Sequence, residues 1–198
     1  MNIIIRDPKL PIIKTKRLTI RDIEVSDISD EYIAWLNNPE VNKFLEVRFS
    51  QQNRQTVENY IRSKLSDTKA SKHFGVYDKG GKRLVGTVTL PSIKWKHLSS
   101  DISFVIGHPE AQGKGYATEA VHGVIYYCFK CCGLVKLWAG YYDGHEGSAK
   151  VLRKNGFREE GRIVKELIDF RGVRVDHVLV GLLAEDFIPD KSLLGDVE

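Results

Sequence analysis

The chain has 198 residues, 42% of them apolar and 28% charged, a balance ordinary for a globular domain able to bury a core and shape a cleft. No window approaches the roughly 18 uninterrupted apolar residues of a membrane helix, and "MNIIIRDPKLPIIKTKR" breaks its apolar runs with Arg, Asp and Pro, so neither a span nor a secretion signal is expected and the chain reads as cytoplasmic. The formal charge of +4 suits anionic ligands, but it is scattered along the sequence and lacks the clustered basic face of a nucleic-acid binder.

In chain order, "RLTIRDI" alternates apolar and polar positions as a half-buried strand does. "SDISDEYIAWLNNPE" predicts a helix with Ser26 as N-cap, Ile28, Tyr32, Trp35 and Leu36 at helical spacing, and a stop before Pro39. Past an irregular "VNKFLEVRF", Val57, Tyr60, Ile61 and Leu65 mark an amphipathic helix within 51–66. "HFGVYDKGGKRLVGTVTLP" reads as a hairpin turning at Gly80 and Gly81, and "DISFVIG" as the next strand. A helix from about Gly115 carries Ala117, Val121, Val124, Ile125, Cys128 and Phe129 on one face, and "LVKLWAGY" follows as a buried strand. "GSAKVLRKNGF" predicts a short helix closed near Gly156, and the chain then forms an antiparallel pair turning at Arg171 and Gly172.

The pattern is α+β: a mixed, mostly antiparallel sheet of six to seven strands, about four helices, and a central strand, glycine turn, helix, strand unit. Residues 15–187 are expected to form one domain, with an N-terminal extension at 1–14 and a tail at 188–198 loosely held. Cys128, Cys131 and Cys132 form a single cluster that cannot complete a four-ligand zinc site, so they read as buried small apolar side chains and no metal is expected.

The glycine turn, "GHPEAQGKGYATEA", falls where a sheet of this kind binds ligands. A Walker loop is excluded because the second glycine arrives one residue late and Lys114 is followed by Gly115, leaving no hydroxyl for magnesium. The dinucleotide fingerprint fits Gly113 and Gly115 but meets Thr118 in place of its third glycine. The pattern (Q/R)-x-x-G-x-(G/A) is met at every position by Gln112, Gly113, Lys114, Gly115, Tyr116 and Ala117. Backbone N–H groups on small residues at a helix N-terminus converge there on an anion.

With that motif the sequence resembles the GNAT superfamily of acetyl-CoA-dependent N-acetyltransferases. "TKRLTIRDIEVSDISDEYIAWLNNPEVNKFL", "GYATEAV", "SAKVLRKNGFREEGRI" and "RGVRVDHVLVGLL" are similar, in order and spacing, to its Rim-type branch, which includes ribosomal-protein N-terminal acetyltransferases. The resemblance implies a GNAT fold and acetyl-CoA as cosubstrate. It assigns the pyrophosphate to Gln112 through Thr118, and the pantetheine arm to Phe104, Val105 and Ile106 on a strand splayed from "KLWAG". It implies direct attack of a primary amine in a ternary complex, the acceptor being a protein N-terminus or a small amine and the protein a monomer or homodimer. Ser148 matches the family's serine before the short helix and is either an acid toward the CoA sulfur, the helix cap, or both. His145 stands where the family has Asn, as a cofactor contact or a base.

A Lys-like amine, with a pKa near ~10.4, is mostly protonated at neutral pH, so a general base is required. Glu46 and Glu166 are the candidates, and Asp176 is expected to order the sheet. Tyr141 and Tyr142 are expected as packing or cleft wall. Acceptor choice is assigned to the loop holding Asn37, Asn38, Lys43, Glu46 and Arg48 and to the strand pair around Arg171. An aminosugar nucleotide acceptor, as in surface polysaccharide synthesis, would need Arg48 or Lys43 for its phosphates. A non-catalytic acyl-CoA-binding or interaction module is the alternative from another class.

Overall fold

The structure, a computed structural model, describes residues 12–66 and 70–195. The expected N-terminal extension lies outside the described residues up to residue 11, as do 196–198 of the tail.

Strands β1 (Ile13–Lys14) and β2 (Leu18–Asp22) lead into a helix pair, α1 (Asp30–Asn37) and the single turn α2 (Pro39–Asn42). The cap of α1 is Ser29, whose hydroxyl accepts the Tyr32 N–H, and not Ser26. Ile28 turns into the core just before it, so the helix begins three residues later than the sequence suggests. Asn38 closes α1 and its side chain opens α2 on the Glu40 N–H, ahead of a proline pre-set for a first turn.

A 3-10 turn (Glu46–Phe49) and α3 (Arg54–Ser66) follow, then the hairpin β3 (Lys72–Asp78) and β4 (Leu84–Leu90), the short β5 (Ile93–Lys94) and β6 (Ser99–Asp101), and β7 (Ser103–Ile106). The remainder is α4 (Tyr116–Tyr126), β8 (Lys136–Tyr142), α5 (Glu146–Lys154), β9 (Arg158–Ile168) and β10 (Arg174–Leu183). Setting aside α2 and the two- and three-residue strands β1, β5 and β6, the described residues hold the expected four helices and seven strands.

With the three short strands included, the ten form two five-stranded sheets, β1-β2-β3-β4-β7 and β5-β6-β8-β10-β9. The division falls inside one extended run. β6 pairs parallel with β8, Ile102 donates its N–H to Trp138, and from Ser103 onward β7 pairs antiparallel with β4. The strand thus changes sheet at Ile102, and β7 diverges from β8 with its second edge turned into the gap.

Helix α4 closes one face of both sheets. Ala120, Val121, Val124, Ile125 and Cys128 pack with Ile20, Phe74 and Val88 of the first sheet and Leu137, Val178 and Val180 of the second. A fully buried side chain of this size stabilises by about 1.5–3 kcal/mol, so the seam between the sheets is held by its own core. On the opposite face of the first sheet, α1 and α3 bury Tyr32, Trp35, Val57 and Ile61 against Ile23, Tyr77 and Leu84. The cysteines divide: Cys128 is buried, Cys132 half-buried, and Cys131 exposed, because α4 ends in a π-helical turn that rotates it outward.

The described parts of the two chain ends hold each other, contrary to the expectation of loose ends. Thr15 bridges Leu194, Lys16 donates to the Leu193 carbonyl, and the Asp190 N–H reaches His122 Nε2 at 2.8 Å. Paired backbone groups and the buried Phe187 anchor a tail whose sequence is polar.

Candidate active site

At the glycine turn, Gly113 and Gly115 hold φ of +72° and +79°, and Gly115 is the N-cap of α4 with no side chain to cover the first helical N–H groups. Nothing lies within 4 Å of where a Cβ on Gly113 would stand. The turn is braced from behind. Glu119, fully buried, accepts from Arg17 N and Nε, each at 2.6 Å, and from Thr15 Oγ1 at 2.7 Å. Arg17 then donates to the Lys114 carbonyl at 2.9 Å and lies over the Tyr116 ring at 4.7 Å. Gln112 turns back to the Ile106 carbonyl. An open, left-handed, N–H-lined turn at the positive end of a helix fits a pyrophosphate. Neither Arg17 nor Glu119 stands out in the sequence; the signal was an apolar helix face interrupted by one glutamate.

Between β7 and β8 lies a cleft of about 710 Å³. Phe104 and Val105 line it, as do Ser148, His145, Glu46, Glu166, Tyr141 and Tyr142. The fold therefore gathers both candidate bases, the serine and the strand assigned to the pantetheine arm around one space, while residues 112–118 stand at the N-terminus of α4 after Ile106. Ser148 is half-buried and is the third residue of α5, whose N-cap is His145; it is not the cap. Ser148→Ala is accordingly expected to lower turnover by about 10-fold or more with an unchanged melting temperature. A lowered melting temperature with normal turnover, read by thermal denaturation beside a thiol-release assay, would reverse that assignment.

His145 stacks on Phe44, ring centroids 4.1 Å apart and planes 13° from parallel, and Phe170 meets Phe44 edge-on at 5.5 Å. Burial, with Lys43 adding repulsion, pushes the imidazole down to about 4, so it is neutral at pH 7 and serves as a wall. His73 is pushed down to about 4 as well, by burial and Lys64. Both folded values lie below the ordinary 6.5 of the unfolded chain, so on acidification the unfolded state binds protons first. Their contribution to stability is complete above pH 6.5 and is lost as pH falls toward 4. The melting temperature is expected to drop between pH 7 and 5, and to drop less in His145→Asn; equal slopes in the two proteins would contradict this.

Two polar pairs line the cleft beside the second sheet. The Tyr142 hydroxyl donates to Glu46 Oε1 and accepts from Arg48 Nη1 at 3.1 Å, and burial and Glu46 raise its pKa. Across from it, His177 Nδ1 lies 2.7 Å from Glu166 Oε2. His177 was not singled out in the sequence. Its trace there was Gly140: a Cβ on Gly140 would stand 2.0 Å from His177 Nε2, so glycine in the apolar strand "KLWAGYY" makes room for a ring from β10. Asp176 accepts the N–H of Lys165, a residue at φ +55°, and so fixes the bulge in β9 that precedes Glu166.

The structure does not leave Asn37 and Asn38 free for an acceptor. Asn37 clips α1 to the following loop through Gln52, and Asn38 is a cap. Arg48 is likewise spent on Tyr142 and the Ile168 carbonyl, and Lys43 reaches Glu40 at 3.3 Å. Arg171 pairs with the buried Asp169 at the hairpin tip, while its neighbour Phe170 meets Phe44 in the loop after α2.

Residues 17–158 match the acetyltransferase (GNAT) domain, and the chain belongs to that family. It is an N-acetyltransferase. It is similar to the uncharacterized N-acetyltransferase YoaA of Bacillus subtilis, 29% identical over 156 residues, 76% of this chain and 85% of that protein. It is also similar to the [ribosomal protein uS5]-alanine N-acetyltransferase of Escherichia coli, 27% identical over 60% of this chain and 61% of that one. Its fold is similar to that of the Vibrio cholerae spermidine N-acetyltransferase solved with CoA and spermine, at TM-score 0.74 and 26% identity, covering 85% of this chain and 96% of that one. Ribosomal-protein and polyamine enzymes thus stand at similar distances, and the Rim-type branch is not singled out. No helix among the described residues is long and apolar enough to cross a membrane.

Proposed function

We propose that this N-acetyltransferase transfers the acetyl group of acetyl-CoA to a primary amine by direct attack within the cleft. The observation that carries this reading is the convergence of Ser148, the Glu166–His177 pair and β7 on one space, with β7 leading into the open glycine turn at the N-terminus of α4. The free edge of β7 offers backbone N–H groups to the pantetheine arm and to the oxyanion that forms on the thioester carbonyl. An ionised Glu166 only accepts, so it holds the proton on His177 Nδ1 and leaves Nε2 as the acceptor for the ammonium proton of the incoming amine. Ser148 donates toward the departing thiolate. Glu46, held by Tyr142, attracts the ammonium before it is deprotonated.

The acceptor is a protein N-terminus or a small amine. Arg48, one of the two cations that a sugar nucleotide would require, is engaged within the protein, which disfavours the aminosugar reading. A cytoplasmic location suits a reaction that draws on acetyl-CoA. Titration calorimetry with acetyl-CoA, followed by a thiol-release screen over N-terminal peptides, polyamines, amino acids and aminosugar nucleotides, tests the proposal. Absence of binding below millimolar acetyl-CoA would overturn it, and binding without thiol release would favour a non-catalytic module.

A further inference from the structure

Glu166 and Leu167 are consecutive, yet both line the cleft. Strict alternation back from Leu167 would turn Glu166 to the opposite face of the sheet, away from His177. The register of the strand pair prevents this. Leu167 pairs with Val175 and Ile163 with His177, so Val164, Lys165 and Glu166 on β9 stand against Asp176 alone on β10. Lys165, at the centre of that bulge, holds φ +55°, a left-handed conformation that residues other than glycine rarely adopt. It re-aims Glu166, whose Oε2 then lies 2.7 Å from His177 Nδ1. The Lys165 N–H donates to Asp176 Oδ1 at 3.0 Å, and Arg174 Nη1 holds the Lys165 carbonyl at 3.1 Å. The backbone of Asp176 is itself anchored, its carbonyl accepting the Asp143 N–H at 2.9 Å just ahead of α5.

We propose that Asp176 is a positioning residue for the general base: by holding the Lys165 N–H it keeps the left-handed bulge in place, and the bulge sets Glu166 on His177. This rests on the acetyltransferase reading above, in which Glu166 and His177 act together. Among the described residues Asp176 does not line the cleft, so it acts through the backbone of β9 and not on a substrate. A left-handed lysine is strained, and with its N–H released it returns toward extended backbone and turns Glu166 off the ring. The other charged group near the Asp176 side chain is Arg162, whose Nη1 lies 3.9 Å from Oδ2, so a variant that keeps the oxygen and loses the charge separates the two roles.

The test reads the tautomer of His177 by NMR of protein labelled at the histidine ring nitrogens, at pH 8, the His177 signals being identified by their loss in His177→Asn. Beside it, kcat and KM are measured by thiol release for the amine of the screen above that is turned over fastest. The wild-type ring is expected to carry its proton on Nδ1, held there by Glu166. In Asp176→Ala that state should give way to a mixture of the two tautomers, and kcat should fall by about 10-fold or more while KM for the amine changes by less than about 3-fold. Asp176→Asn keeps an oxygen for the Lys165 N–H and should retain the wild-type tautomer. So should the double variant Asp176→Ala, Lys165→Gly, because glycine takes up the left-handed conformation unaided. Should Asp176→Ala fail to fold, Lys165→Val, whose β-branched side chain resists positive φ with Asp176 intact, makes the same comparison. A wild-type ring not protonated on Nδ1, a tautomer or a kcat unaltered by Asp176→Ala, a loss in Asp176→Asn as large as in Asp176→Ala, or no restoration by Lys165→Gly would overturn the proposal. Absence of thiol release from a wild-type protein with the expected tautomer overturns the acetyltransferase reading and this one with it, whereas thiol release with a tautomer indifferent to Asp176 overturns this one only.

Discussion

Gly115→Glu is expected to weaken acetyl-CoA binding by about 100-fold or more, the loss of two charge-assisted hydrogen bonds, while the protein stays folded. The nearest atom to a Cβ at this position is Arg17 Nη2, at 3.6 Å, so the side chain has room. Two costs arise all the same. The φ of +79° is left-handed and penalises any non-glycine residue by about 1 kcal/mol. A carboxylate there also places negative charge on the face of the turn proposed for the pyrophosphate, and is expected to draw Arg17 off the Lys114 carbonyl that it braces. Gly115→Ala, which carries the strain without the charge, separates the two and should retain most of the affinity. Calorimetry on both variants, with circular dichroism to confirm folding, is the measurement; unchanged affinity in folded Gly115→Glu would remove the pyrophosphate from this turn.

The second large effect is expected at the Glu166–His177 pair. Glu166→Gln should lower kcat by about 100-fold or more with little change in acetyl-CoA affinity, because an amide, which can donate to Nδ1 as well as accept from it, no longer selects the Nδ1–H tautomer and carries no charge to stabilise the imidazolium. His177→Asn should cost a similar factor. If the two act as one base, the double variant will lose no more than the worse single variant, since a broken unit cannot be broken again. Multiplying losses would show two separate roles, and unaltered kcat in Glu166→Gln would falsify the assignment. Gly140 offers a route that leaves both side chains intact: any Cβ there collides with His177 Nε2 and displaces the ring from the cleft.

Much of this was legible in the linear sequence wherever the governing interaction is local. Helix spacing, the Gly80-Gly81 hairpin, the strand before the glycine turn and the turn's own pattern depend on residues a few positions apart, and each appears where it was expected. Ser29 in place of Ser26 shows the limit even at short range, because the start of α1 was set by the burial of Ile28 and not by the first available hydroxyl.

What only the tertiary structure decided involves partners far apart in the chain. Glu119 meets Arg17 across 102 residues, Tyr142 meets Glu46 across 96, and Asn37 and Arg48, polar and plausible as acceptor ligands, are consumed by backbone groups that no sequence spacing announces. Side-chain chemistry is written in the sequence, but whether a polar group faces a ligand or satisfies the fold depends on which backbone donors and acceptors the packing leaves unpaired. By itself the sequence determined the glycine turn at the N-terminus of α4, whose conformation is set by its own backbone. The division of the sheet at Ile102, the pairing of Glu166 with His177, and the hold of Asp176 on Lys165 had to wait for the fold, because each is a relation between strands.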